Sequence, residues 1–230
     1  MISSGHSASA FLLLLQLASP ALPVGGFSYS EGLESAVDLG WVKDESSAKV
    51  WLMDQLDLIQ ARSEMPLFHE AIQAWRAFDQ HQLIDLTAWT LQTRETFEVK
   101  LQTQQMGRSL LIWLKNQNIM DTEKIEFCKE LPPTWPIVFA LCVSQEDISV
   151  EDGLMTFAFS WAENMVQAAM KAVPLGQKSG QSILTAITQE IPMAVRKAMS
   201  TPRHARQSFA PHWAILSSQH ETQYSRLFRS

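Results

Sequence analysis

Apolar residues recur along this 230-residue chain at intervals of three and four, the spacing that gathers them on one face of a helix. No run alternates apolar and polar positions as a half-buried strand would. Asp44 is placed to cap a helix whose inner face is Ala48, Trp51, Leu52, Leu56 and Ile59. Pro66 suits a first helical turn, where its missing donor costs nothing, and Leu67, Phe68, Ala71, Ile72 and Trp75 follow on one side. A helix is expected from Gln82 to Gln92 with Leu83, Leu86 and Leu91 inside. The next runs from Glu95 to Leu114 through Val99, Thr103, Met106, Leu110 and Trp113. Asn116 to Asn118 and the pair Pro132-Pro133 break the middle of the chain and leave room for one short helix between them.

The back half reads the same way. Ser149 and Asp152 make a capping box ahead of a stripe formed by Val150, Leu154, Phe157, Ala158, Trp161, Met165, Ala168, Ala169 and Ala172. Pro174, Gly176 and Gly180 punctuate. Leu184, Ile187, Ile191, Val195 and Ala198 then build another helix, with Pro192 inside it as an expected kink. Pro202 and Pro211 bound a loop before the C-terminal segment. No internal repeat and no low-complexity tract interrupts this. The pattern predicts an all-α, single-domain helical bundle of roughly eight to ten helices over residues 1–230.

One stretch does not fit a helix. Residues 17–34 (LASPALPVGGFSYSEGLE) hold Pro20 and Pro23, which remove backbone donors, and the pair Gly25-Gly26, which allows positive φ or close backbone approach. Phe27 and Tyr29 alternate with Ser28 and Ser30. A stiff, apolar connection of this length inside a compact domain is more often functional than idle.

Composition narrows the function classes. The chain is 46% hydrophobic and 18% charged, with a formal net charge of −6 and no basic run, which argues against nucleic-acid binding. Cys128 and Cys142 stand apart without a second metal ligand at finger spacing, as in a reduced compartment. The apolar run Phe11 to Ala18 resembles a signal-peptide core, but no Lys or Arg precedes it and it is too short to span a bilayer. A cytoplasmic protein without membrane attachment is expected.

Candidate chemistry is mostly near misses. Residues 26–30 (GFSYS) resemble a nucleophile elbow but lack the final glycine and follow a helix rather than a strand. A small hydrolase using Ser28 is therefore only an alternative. Residues 176–180 (GQKSG) lack the residue order of a phosphate loop. His69-Glu70 and His220-Glu221 each begin a zincin-like string without its second histidine. The six histidines, His6, His69, His81, His204, His212 and His220, are scattered. His204 and His212 flank one loop and could approach each other as a metal-binding pair, although a surface pair of this kind is usually structural or solvated. No catalytic residue stands out.

Four blocks, in order, carry a resemblance. Residues 17–34 look like the N-terminal signature of the urease accessory F proteins, the UreF family. Residues 105–111 (QMGRSLL) resemble its central helix. Residues 157–164 (FAFSWAEN) with 173–177 (VPLGQ) and 180–181 (GQ) resemble its longest shared block, and residues 220–230 (HETQYSRLFRS) its tail. Residues 100–104 are less charged than family members often are, and residues 165–170 richer in methionine. The resemblance implies a non-enzymatic chaperone of urease maturation, an all-helical homodimer. It would bridge a UreD-type (also called UreH-type) accessory protein and the UreG GTPase on apo-urease, and possess no cofactor of its own. Nickel and GTP would be handled by the GTPase partner, which this chain would regulate; the second alternative is a direct nickel carrier using His204, His212 and the two thiols.

Within that expectation the partner-binding residues are Gly25, Gly26, Phe27, Tyr29, Arg108, Lys171, Tyr224, Arg226, Leu227, Phe228 and Arg229. Phe27 and Tyr29 either fold onto their own core or anchor a partner. Gly107 serves tight helix packing, with Arg108 reaching a carboxylate or a partner. Trp161 faces inward, while Glu163 and Asn164 lie off the apolar stripe, free to line a polar seam between subunits. In the tail, Tyr224, Leu227 and Phe228 form an i, i+3, i+4 triplet. The tail either docks on the UreD-type partner, being mobile beforehand, or packs on its own dimer.

Overall fold

The computed structural model describes residues 7–117, 120–145 and 147–229. His6, Asn118 and Ser230 lie outside them. The described residues form helices and connections without strands: α1 (Ala8–Ala18), α2 (Leu33–Asp38), α3 (Glu45–Gln55), α4 (Met65–Ala77), α5 (Gln80–Gln92), α6 (Phe97–Gln117), α7 (Thr122–Glu130), α8 (Trp135–Val143), α9 (Val150–Ala172), α10 (Gln177–Ser200) and α11 (Pro211–Glu221). The fold class is all-α, as the periodicity predicts.

The caps fall where the sequence places them. Asp44 accepts from Ser47 N–H at 2.8 Å, and the Ser47 hydroxyl takes the Asp44 N–H in return. Ser149 accepts from Asp152 N–H at 3.0 Å and starts α9. Gly176 precedes the first turn of α10, so residues 176–180 are a helix start and not a phosphate loop. Helix α10 runs on through Pro192. Leu91 and Trp113, expected inside, are only partly covered.

The separation expected between the Asp44 and Pro66 helices is absent. A π-helical segment, Leu56–Glu64, fuses α3 to α4 in one rod. Pro66 has no N–H for the Arg62 carbonyl one turn back, and Gln207 N–H, arriving from the loop after α10, takes that carbonyl at 3.1 Å. The proline's missing donor is thus supplied from a distant part of the chain, which spares the rod a break.

Helix α8 was not foreseen. Residues 136–143 are all buried, so it shows no apolar face for periodicity to detect. It lies between α4 and α6. Phe139 contacts Phe68, Trp135 and Phe157 at ring-centroid distances of 5.6, 5.0 and 5.4 Å, and Phe68 stacks on Phe157 at 4.4 Å. Trp75, fully buried in α4, donates its indole N–H to the Ile137 carbonyl at 2.9 Å. On the other side α6 approaches so closely that Gly107 faces the backbone of Thr134.

Helices α9 and α10 pack as an antiparallel pair over this centre, and α1 lies on α9 with Ala10, Leu13, Leu14 and Leu17 in the core. The N-terminal apolar run is therefore part of the bundle. Among the described residues, no helix is long and apolar enough to cross a membrane.

Candidate functional site

The segment between α1 and α2 is held by a left-handed Gly25 (φ +75°) and a short 3-10 turn, Gly26–Ser28. A Cβ on Gly26 would stand 2.5 Å from the Asn164 side-chain nitrogen of α9, so the turn packs directly against that side chain. Asn164 thus lies against this segment of its own chain. The turn drives its two aromatics in opposite directions. Tyr29 is 4% exposed and donates to Gln105 Oε1 at 2.7 Å; burial raises its hydroxyl pKa, which the Arg229 side chain beside it opposes. Phe27 is 54% exposed, with Lys171 Nζ 5.6 Å from its ring centroid. The two readings left open for these aromatics divide between them: Tyr29 is a core residue, and Phe27 stands outside.

The tail returns to this same place. Helix α11 ends at Glu221, and residues 222–229 continue without helix, so Tyr224, Leu227 and Phe228 do not form the expected helical triplet. Phe228 is buried, Leu227 is 71% exposed and Tyr224 fully exposed. Arg229 N–H donates to the Ser28 carbonyl at 2.8 Å, pinning the last turn of the chain to the glycine segment. The tail expected to be mobile is anchored on its own chain.

What anchors it is a buried ionic cluster. His220, fully buried, sits with Nε2 3.1 Å from Glu34 Oε2 and Nδ1 2.7 Å from Glu98 Oε2. Both ring nitrogens lie within hydrogen-bonding distance of carboxylate oxygens. Glu34 also accepts the N–H groups of Leu227 and Phe228 at 2.6 and 3.0 Å, and Arg226 reaches Glu98. Arg226 is thereby engaged within the chain. Sequence reading missed Glu34 and Glu98, because partners 186 and 122 positions from His220 leave no local signal.

Two adjoining depressions result. One is lined by Phe27, Ser28, Lys171, Leu227, Phe228 and Arg229; the other by Pro23, Gly25, Tyr29, Gln105, Arg108 and Arg229 among others. Nine of the eleven expected partner-binding residues meet around them, including Gly26 in the intervening turn. Tyr224 and Arg226 line neither. Lys171, Arg108 and Arg229 give this face a positive character, with Phe27 and Leu227 as exposed apolar points.

The alternatives find little support in geometry. Among the described residues Ser28 Oγ has no hydrogen-bonded base, and no group of three His, Cys, Asp or Glu is arranged to hold a metal. His204 is exposed, and His212 packs edge-on to Trp41 at 6.3 Å. Cys128 and Cys142 are buried free thiols; burial pushes the first up to about 12 and the second further. Because the native state holds these protons longer than the unfolded chain, the fold loses stability as pH rises past the unfolded value of 9.0. Iodoacetamide at pH 8 is expected to leave both thiols of the native protein unmodified and to label both in urea, as read by intact mass.

Comparison with known proteins agrees with the four sequence blocks. The UreF family model matches residues 42–188. The chain is 54% identical over 229 residues to the urease accessory protein UreF of Paracidovorax citrulli, covering 98% of this chain and 91% of that protein. It is 53% identical to the UreF of a Polaromonas species, covering 97% and 96%, and 49% identical to that of Methylibium petroleiphilum, covering 97% and 95%. With the all-helical bundle, the family's segments side by side on one face and relatives matched nearly end to end, the chain belongs to the UreF family of urease accessory proteins.

Proposed function

We propose that this chain is a non-enzymatic scaffold that bridges a UreD-type accessory protein and the UreG GTPase during nickel insertion into apo-urease. It works in the cytoplasm as a homodimer. The observation that carries the reading is the convergence of Phe27, Lys171, Arg108, Leu227 and Arg229 on one face, built from segments far apart in the chain. Exposed apolar points beside cations that have no carboxylate partner among the described residues suit a protein partner with an acidic, apolar-pocketed surface. Glu31, Glu34 and the other buried carboxylates are tied up inside, so the charge offered to a partner here is positive although the chain as a whole carries −6. Nickel and GTP stay with the GTPase, whose turnover the scaffold regulates through the Lys171 side of the face.

Co-purification with the UreD-type protein and UreG, followed by urease activation at low nickel with and without this chain, tests the reading. Equal activation without it would overturn the scaffold role. The face is tested separately by Phe27→Ala combined with Leu227→Asp. Both side chains are largely exposed, so stability should change by only about 0.5 kcal/mol, while partner capture should fall about tenfold or more. Truncating the tail is the poorer probe, because Phe228 belongs to the core. Unchanged capture by the double variant would remove this face from the interface.

A further inference from the structure

Most guanidiniums of this chain find an acceptor within it. Arg62, Arg94, Arg203, Arg206 and Arg226 each meet a carboxylate, and Arg76 donates to the carbonyls of Ser144, Gln145 and Ile148. Arg108 and Arg229 meet no carboxylate among the described residues. The two line one depression beside Gly25, about 640 Å³ with its open mouth included. In a chain of net charge −6, two guanidiniums around one hollow with no acid between them form a local positive field open to solvent.

Buried contacts fix where these groups stand. Tyr29 donates to Gln105 Oε1 at 2.7 Å, and the Arg229 side chain lies beside the same hydroxyl. Arg229 comes there from the far end of the chain, its own N–H held on the Ser28 carbonyl at 2.8 Å. Gln105, Arg108 and Ser109 occupy positions i, i+3 and i+4 of α6, the spacing that sets side chains next to one another. All three line the depression with Arg229. Tyr29 occupies Gln105 Oε1, which leaves the Gln105 amide nitrogen as a donor. The lining therefore holds two guanidiniums, an amide nitrogen and the Ser109 hydroxyl, and no Asp or Glu is among its described residues.

We infer that this depression is a socket for one carboxylate side chain, an Asp or Glu of the protein that docks on the Phe27 and Leu227 face, held between Arg108 and Arg229 with Gln105 and Ser109 as further donors. The inference rests on the proposed docking face and adds the contact that sets the partner's register on it. A carboxylate has about four lone-pair directions, enough for two guanidiniums at once, and this pairing is directional as well as strong. Apolar points supply contact area without such direction. Arg229 also lines the neighbouring depression with Phe27 and Leu227, so the charged socket and the apolar points are continuous. That continuity favours a side chain on a protein surface over a free small anion.

The test has two arms, both on the full chain. In the first, isotope-labelled protein is titrated with sodium glutarate while the arginine Nε–H signals are followed by NMR, with sodium chloride at equal ionic strength as the control. Two arginine signals should shift saturably with glutarate alone, at a Kd of about 1–10 mM, and Arg108→Gln should abolish the response. In the second, capture of the UreD-type protein and of UreG is measured. Arg108→Gln should lower capture of at least one of them about tenfold, and Arg108→Lys should restore little, because an ammonium cannot make the paired contact. Arg108 is exposed, so neither variant should change the melting temperature. If the parent chain captures neither protein, the scaffold reading fails, and the glutarate arm still decides the socket. Absence of a glutarate-specific shift would overturn the socket. Glutarate binding with capture unchanged in Arg108→Gln would assign it to a free small carboxylate and overturn its docking role.

Discussion

Glu34→Ala is expected to cost the fold about 3–5 kcal/mol and to free the C-terminal segment from the bundle. One carboxylate there serves three groups: the His220 ring and the N–H groups of Leu227 and Phe228. Removing it leaves a fully buried imidazole facing Glu98 alone and two amide donors without partners. The uncompensated buried group sets the size of the effect; the ion pair's own net worth is much smaller. Arg226→Ala is the matched control. Its side chain is 39% exposed and meets the same cluster from outside, so about 1 kcal/mol or less is expected. Urea unfolding gives the energies, and limited proteolysis after Arg226 or Arg229 reports release of the tail. Equal unfolding midpoints for the two variants would show that the cluster does not clamp the tail.

Gly107→Ala should destabilise the protein in spite of helix propensity. Alanine in a helix interior is favoured over glycine by about 1 kcal/mol. Here, however, the new Cβ would stand 2.5 Å from Thr134 C and 2.8 Å from Thr134 Cα and N. Those are backbone atoms at the start of the most buried helix, and they cannot swing aside as a side chain could. Overpacking of this kind costs about 3 kcal/mol, so the clash wins by about 2 kcal/mol. Thermal unfolding should show a lower melting temperature for Gly107→Ala and a lower one still for Gly107→Val. A higher melting temperature for the alanine variant would mean that α6 and α8 are not locked at this point.

Much of the architecture was legible along the chain. Asp44 and Ser149 mark helix starts because a cap is a contact within one turn, decided by neighbours three residues away. The stripes of α9 and α10 were legible because each helix has one wet face and one dry one. Helix α8 was not, since burial on all sides erases the contrast that periodicity measures. The fusion of α3 and α4 was missed for another reason: Pro66 looks like a start until Gln207, 145 positions after Arg62, supplies the donor the proline lacks.

The functional face divides along the same line. The four blocks that place the chain in its family are strings of adjacent residues, and a string is readable without a fold. That Phe27 points out and Tyr29 in, two residues apart, depends on Gln105 lying across from one and Lys171 beside the other. That the tail is held depends on Glu34 and Glu98, brought to His220 from 186 and 122 positions earlier in the chain. The linear sequence therefore settles helix content, caps and family membership, all carried by interactions or patterns local in the chain. Which side chains are buried, which carboxylates are paired and which cations remain free is settled only by packing, because burial and pairing are properties of neighbours in space.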